Sequence, residues 1–212
     1  MYTPSAFALD DLPELQQLIQ HTRLAQLVTM GEQGLQASHL PLLLNPDEGP
    51  NGTLYGHLAK ANRQWQELRN GSDALVIFAG AEAYISPTYY PTKAEHGKVV
   101  PTWNYLAVHA YGKAEVFTDA ERLLGVVSAL TDRHEHGRDR PWKVSDAPAD
   151  YIDGMLKAIV GFALPIDRLI GKRKLSQNRS PADIAGVRNG LATSADVRDQ
   201  TLARFIRQGA QE

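Results

Sequence analysis

The feature that most narrows the fold is the rhythm of short apolar runs between residues 25 and 117, each closed by turn chemistry. Residues 25–29 read as a strand, 31–34 as a turn, and 35–44 as the hairpin partner, with Pro41 marking an edge or a bulge. The run Asn45-Pro46-Asp47-Glu48-Gly49-Pro50-Asn51-Gly52 is dense in residues that favour turns. Further strands are expected at 53–58, 74–78 and 83–86, and extended structure over 102–117 with a bend at Gly112. Strands this short and this closely spaced form an antiparallel sheet or barrel, not a doubly wound parallel one.

Helical patterning lies mostly outside this stretch. Leu12, Leu15, Leu18 and Ile19 form one apolar stripe behind Asp10 or Asp11 as cap, and 61–69 predicts a short helix with Trp65 and Leu68 inward. Residues 119–133, capped by Thr118, carry Leu123, Leu124, Val127 and Leu130 at helical spacing, and 151–160 repeats the pattern. A last strand is expected at 162–166, then helices at 181–188 and 194–208. The expectation is one α+β, mainly β domain over residues 1–212, with 181–212 as a helical appendage.

Composition removes whole classes of function. The 212 residues hold 22 Lys and Arg against 24 Asp and Glu, a formal charge of −2, so the surface as a whole is no polyanion binder. With no cysteine, thiolate zinc, iron–sulfur clusters, disulfides and thiol nucleophiles are excluded. No basic leader or membrane-length apolar run is visible, so the expected setting is the cytoplasm, without a membrane partner. Generic catalytic and nucleotide motifs are missing, and His134-Glu135-His136 reads as a solvated helix end, not a metal site. No catalytic residue and no metal ligand is therefore named.

Three segments carry more polar and aromatic side chains than a strand core needs. In 56–65, His57, Lys60, Asn62 and Arg63 sit where a strand passes into a helix; the segment is either a phosphate-holding corner or a surface corner capped by Asn62. In 99–105, Trp103 and Tyr105 flank Asn104, either to stack on a planar ring or to pack a core. In 171–179, Lys172, Arg173, Lys174 and Arg179 surround Ser176, Gln177 and Asn178, as an anion site or a solvated basic loop. All three suit one ligand type: flat, polar-edged and phosphorylated.

The runs Gly56-His57-Leu58-Ala59-Lys60-Ala61-Asn62, Ala83-Tyr84-Ile85-Ser86-Pro87-Thr88-Tyr89-Tyr90, Val100-Pro101-Thr102-Trp103-Asn104-Tyr105-Leu106-Ala107-Val108-His109 and Lys174-Leu175-Ser176-Gln177-Asn178-Arg179 closely resemble the PaiB-type family of FMN-binding negative transcriptional regulators. The resemblance runs from Tyr2 to Leu191. It implies the FMN-binding split β-barrel of pyridoxamine phosphate oxidase and flavin reductase relatives, and a homodimer with FMN at the subunit interface. By the same resemblance, His57, Lys60 and Asn62 lie along the ribityl-phosphate, and Ser38 and His39 approach the ring or phosphate. Thr102, Trp103 and Asn104 come from a longer strand near the interface, and Lys174, Ser176, Gln177 and Asn178 close the site.

Whether the chain is an enzyme stays open. One alternative is an FMN-dependent oxidoreductase or flavin reductase, in which the coenzyme does the redox chemistry and the protein orients it. A second is a haem-binding or haem-degrading protein, with His39, His57, His96 and His109 as candidate ligands. For the regulator, helices 181–188 and 194–208 loosely resemble a helix-turn-helix, with Arg188, Arg198, Arg204 and Arg207 toward DNA phosphates; a barrel-capping pair is the other reading. The segment 87–101 is either a lid or a dimer arm.

Overall fold

The computed structural model describes residues 1–32 and 34–206. In chain order these form β1 (Ala8–Leu9), α1 (Leu12–His21), β2 (Ala25–Gly31), β3 (Gly34–Leu40), β4 (Leu43–Asn45), β5 (Thr53–Ala59), α2 (Gln64–Arg69), β6 (Asp73–Ile85), α3 (Lys93–His96), β7 (Thr102–Lys113), β8 (Glu115–Phe117), α4 (Ala120–Glu135), α5 (Ala149–Lys157), β9 (Ile159–Pro165), β10 (Arg168–Lys174), α6 (Pro181–Ala192) and α7 (Val197–Ala203). The class is α+β with antiparallel sheets. Two compact units are distinguished, one of residues 1–11, 79–108 and 170 onward, the other of residues 12–78 and 109–169. The strands β6 and β7 each begin in one unit and end in the other.

In the unit of residues 12–78 and 109–169, β2 pairs antiparallel with β3 on one side and with the start of β6 on the other. A second sheet has the order β4-β5-β9-β8. Its register sets His57 opposite Gly161 and Tyr55 opposite Ala163. Helices α4 and α5 cover this sheet, burying Leu123, Val126, Leu130 and Leu156 against Phe117 and Ala163. Arg133 near the end of α4 fastens α1 here. Its guanidinium donates to Leu42 O at 2.7 Å, to Thr22 O at 3.3 Å and to Gln20 O. It spends its forked donors on carbonyls that β4 and the end of α1 leave without partners.

In the other unit the strand order is β1-β10-β7-β6. Helices α6 and α7 bury Val187, Leu191 and Leu202. The start of the segment 87–101 is fastened to α6. Thr92 donates from its hydroxyl to both Asp183 carboxylate oxygens, at 2.9 and 3.0 Å, although Asp183 is buried. Tyr89 lies against Gly186 and Gly190, where an added Cβ would come within 2.1 Å of the Tyr89 carbonyl oxygen and 2.3 Å of its ring. Only glycine admits so close a neighbour at these two positions.

Several local expectations are revised. The runs at 74–78 and 83–86 are one continuous strand, β6. The break in 102–117 falls at Ala114, not Gly112; Gly112 stays in β7, where a Cβ would meet Pro165 O at 2.2 Å. Gln64, not Trp65, shares the buried face of α2 with Leu68, because its amide finds partners inside. Asp119, not Thr118, caps α4 by accepting from Arg122 N at 2.8 Å. Of the helix expected over 194–208, the described part is α7, and Arg207 and Gln208 lie outside the described residues, as does Gln33 of the first turn.

Arg133→Met keeps the aliphatic stem and removes the donors to the three carbonyls. The expected cost is about 1–3 kcal/mol, a fall in melting temperature of about 2–10 °C for a chain this size. Thermal unfolding followed by circular dichroism checks it; an unchanged melting temperature would show that water replaces these bonds without loss.

Candidate functional site

The expected site residues fall into two groups, one in each unit. Ser38, His39, His57, Lys60 and Asn62 belong to the unit of residues 12–78 and 109–169. Asn62 donates from its side-chain amide to Ser38 Oγ at 2.9 Å and accepts from Gln64 N at 3.1 Å with its own oxygen. It therefore closes an Asx turn just before α2, whose N-cap is Arg63 and not Asn62, and ties that turn to β3. His39 follows Ser38 on β3 and so points to the opposite face, exposed; the strand does not bring the two together. Lys60 is exposed, with its backbone N–H bonded to Ala158 O at 2.8 Å.

His57 sits on β5 with its Nδ1 buried and unpartnered, and burial alone holds its pKa below the ordinary value. His109 on β7 shows the same pattern, its pKa lowered chiefly by burial. In both rings burial disfavours the charged imidazolium.

Thr102, Trp103, Asn104, Lys174, Ser176, Gln177 and Asn178 belong to the other unit, and here the structure does gather side chains. The Lys174 ammonium donates to Thr102 Oγ1 at 2.6 Å and to Trp103 O at 2.7 Å. Asn104, fully buried, donates to Ser176 Oγ at 2.9 Å, while its own Oδ1 is buried without a partner. Ser176 holds a left-handed backbone, φ 63°, which is uncommon for a side chain bearing Cβ. Gln177 folds back on its own turn, accepting from Leu175 N at 2.6 Å and donating to Arg173 O. Asn178 is exposed. Trp103 is half exposed and meets Tyr84 edge to face, centroids 5.9 Å apart.

Two cations of the basic segment that the family resemblance does not place at the site join this group. Lys172 is buried, donates to Tyr2 O at 3.1 Å, and lies 5.1 Å from the Tyr105 ring centroid and 5.8 Å from that of Tyr2. Arg179 lies over Tyr90 at 5.1 Å. Burial first, then repulsion from Lys172 and Arg179, holds the Lys174 pKa below its ordinary value, with Tyr105 opposing in part. Among the described residues no carboxylate pairs with Lys172, Lys174 or Arg179. The basic segment 171–179 is thus not a solvated loop throughout: residues 171–174 end strand β10, and alternation on that strand sets Lys172 and Lys174 on one face. Had the strand been recognised, that spacing would have added Lys172 to the site.

Residues 1–168 match the family described as "Putative FMN-binding domain". The chain belongs to this family. It is also 31% identical over 206 residues to the protease synthase and sporulation protein PAI 2 of Bacillus subtilis, covering 97% of this chain and 96% of that relative. An uncharacterised protein of Emericella nidulans is 34% identical, covering 98% and 97%. Among solved structures, the FAD and heme binding protein from Mycobacterium smegmatis superposes with TM-score 0.56 at 19% identity, covering 84% of this chain and 78% of that one. The flavocytochrome Anf3 from Azotobacter vinelandii gives 0.57 at 17%, covering 79% and 69%. The PaiB-type membership, the flavin-binding split-barrel fold and the family's flavin cofactor, FMN, accord with the expectations from sequence. Among the described residues no helix is long and apolar enough to cross a membrane.

The neutral histidines have a pH signature. A histidine whose folded pKa is lowered binds protons better unfolded, so stability is full above an ordinary imidazole pKa near 6.5 and declines as pH falls below it. Between about pH 7.5 and pH 5.5 the urea midpoint of the parent protein should drop, and His57→Gln should drop less. Equal drops in both would remove His57 from the cause.

Proposed function

We propose that this protein is a cytoplasmic, homodimeric PaiB-type flavoprotein, that it holds FMN through the Thr102–Ser176 group, and that its role is redox-linked or regulatory. The observation carrying this reading is the uncompensated charge around Lys174. Three cations, one of them buried, come together with no carboxylate among the described residues paired to any of them, and such a group is costly unless an anion completes it. A phosphate monoester, doubly negative and rich in acceptors, fits that requirement. The unpartnered Asn104 Oδ1 suits a ring that offers an N–H donor, and half-exposed Trp103 offers an aromatic face.

Lys174 carries three N–H donors, and the protein uses two of them, on Thr102 and Trp103. The third is left for the phosphate, with Lys172 and Arg179 adding charge behind it. Asn104 is oriented by Ser176, whose left-handed backbone sets the turn after β10. Ser38, His57, Lys60 and Asn62 are candidates for the ribityl-phosphate, His39 for the ring edge or phosphate, and Gln177 and Asn178 for closing the site; each is tested singly. When bound, FMN would supply hydride or electron transfer, and the chain supplies binding, orientation and charge.

A regulatory role is supported by the relative named for protease synthesis and sporulation. Direct DNA contact through α6 and α7 has less to draw on. Arg198 is held by Asp196 at 2.6 Å, and the Gly186–Gly190 face of α6 is filled by Tyr89. Arg207 lies outside the described residues.

The deciding measurement is the visible spectrum of purified protein with and without added FMN. A flavin band that follows the protein supports the reading; its absence after titration overturns it, and a Soret band would favour haem instead. Lys174→Ala should weaken FMN binding about tenfold or more, the worth of one charged hydrogen bond. Unchanged FMN affinity in that variant would move the phosphate elsewhere.

A further inference from the structure

A groove of ≈ 800 Å³ lies in the unit of residues 12–78 and 109–169; its lining includes Gln36, Arg63, Gln66, Glu67, Asn70 and Ser72 and none of the residues proposed above to hold FMN, although Arg63 directly follows Asn62. Arg63 and Glu67 are one helical turn apart, yet they form no ion pair with each other or with any other described residue. With the cation N-terminal to the anion, this is the weaker order for such a pair on a helix. Each charge is left facing the groove.

The Glu67 carboxylate is also held in place. It accepts a hydrogen bond from the hydroxyl of Thr29, which is 1% exposed. That hydroxyl in turn accepts from Gln64 Nε2 at 3.1 Å, and Gln64 is equally buried. The chain Gln64–Thr29–Glu67 fixes which way each donor points, and Gln64 Oε1 is left buried without a partner beside it. Opposite Thr29's bond the carboxylate lies over Gly31, where a Cβ would come within 2.0 Å of Glu67 Oε1. Any other residue at position 31 would push the carboxylate away.

We propose that this groove binds a small zwitterion, with its ammonium on Glu67 and its carboxylate on Arg63. A ligand with a single charge would satisfy one of the two side chains and leave the other; only a molecule carrying both signs completes both. Glu32 also lines the groove and adds negative charge that favours an ammonium, and the amides of Gln36, Gln66 and Asn70 can bond the ligand's remaining polar atoms. The hydroxyl and the glycine are what a preorganised carboxylate needs, since a side chain already in position loses less freedom on binding.

Isothermal titration of the full chain with glycine and with 4-aminobutanoate tests the proposal, with butylamine and butanoate as the two halves. At least one zwitterion should bind about tenfold or more tightly than either half, and Glu67→Gln and Arg63→Gln should each cost it about tenfold or more. Gly31→Ala should weaken binding as well, while leaving Arg63 and Glu67 in the sequence. Uptake of FMN by Glu67→Gln should match the parent, which also reports that the variant folds. Failure of both zwitterions to bind, a half that binds as well as the whole, or binding untouched by Arg63→Gln would each overturn it. Arg63, exposed and without a partner among the described residues, decides the matter if Glu67→Gln fails to fold.

Discussion

The burial of Lys172 beside Lys174, with no carboxylate among the described residues paired to either, is the constraint on which the rest of this structure depends. A folded chain has little reason to bring cations together in a half-dry place. The cost is met in part by π faces: Tyr2 and Tyr105 lie within 6 Å of the Lys172 ammonium. It is met in part by carbonyl and hydroxyl oxygens at Tyr2, Thr102 and Trp103. Neutral oxygens and rings soften the repulsion without cancelling the charge. What remains is a standing demand for an anion, and the fold supplies the rigid strands β7 and β10 that keep the demand in one place.

The same economy explains why strand β10 escapes a reading by pattern. Arg168, Lys172, Arg173 and Lys174 make it look like a loop, because charged residues are poor evidence for a buried strand. The chain tolerates them only because tertiary partners exist: Arg168 lies 3.7 Å from the Tyr111 ring centroid and Lys172 reaches Tyr105. Strands β2, β5 and β7, by contrast, declare themselves through apolar alternation, and α1 and α4 through stripes at helical spacing. Local preference dominates in those elements, so sequence suffices. In β10 the partners decide, and they are distant in sequence, Tyr111 for Arg168 and Tyr105 for Lys172.

The site was legible to the same degree and for the same reason. Motif runs carried the family and its cofactor. The pairing of Asn62 with Ser38, or of Asn104 with Ser176, is invisible in sequence because it depends on register and turn geometry. His39 shows the limit from the other side. Its neighbour Ser38 is drawn into the Asn62 contact, and the strict alternation of β3 then sends His39 the other way. Two adjacent strand residues cannot share a face, so a motif that names both divides its work between two surfaces.

Glycine does in this chain what longer side chains cannot. At Gly186 and Gly190 the missing Cβ lets Tyr89 lie on α6, which fixes the start of the segment 87–101. At Gly31 it lets Glu67 rest on a strand backbone, which fixes a carboxylate. In both cases a polar partner completes the arrangement, Asp183 to Thr92 in one and Thr29 to Glu67 in the other. Close approach without a polar tether would leave the guest free to leave, and a tether without the space would strain it. The conjunction separates a held side chain from a merely neighbouring one, and it is why Glu67 and the start of the 87–101 segment are each fixed in one place.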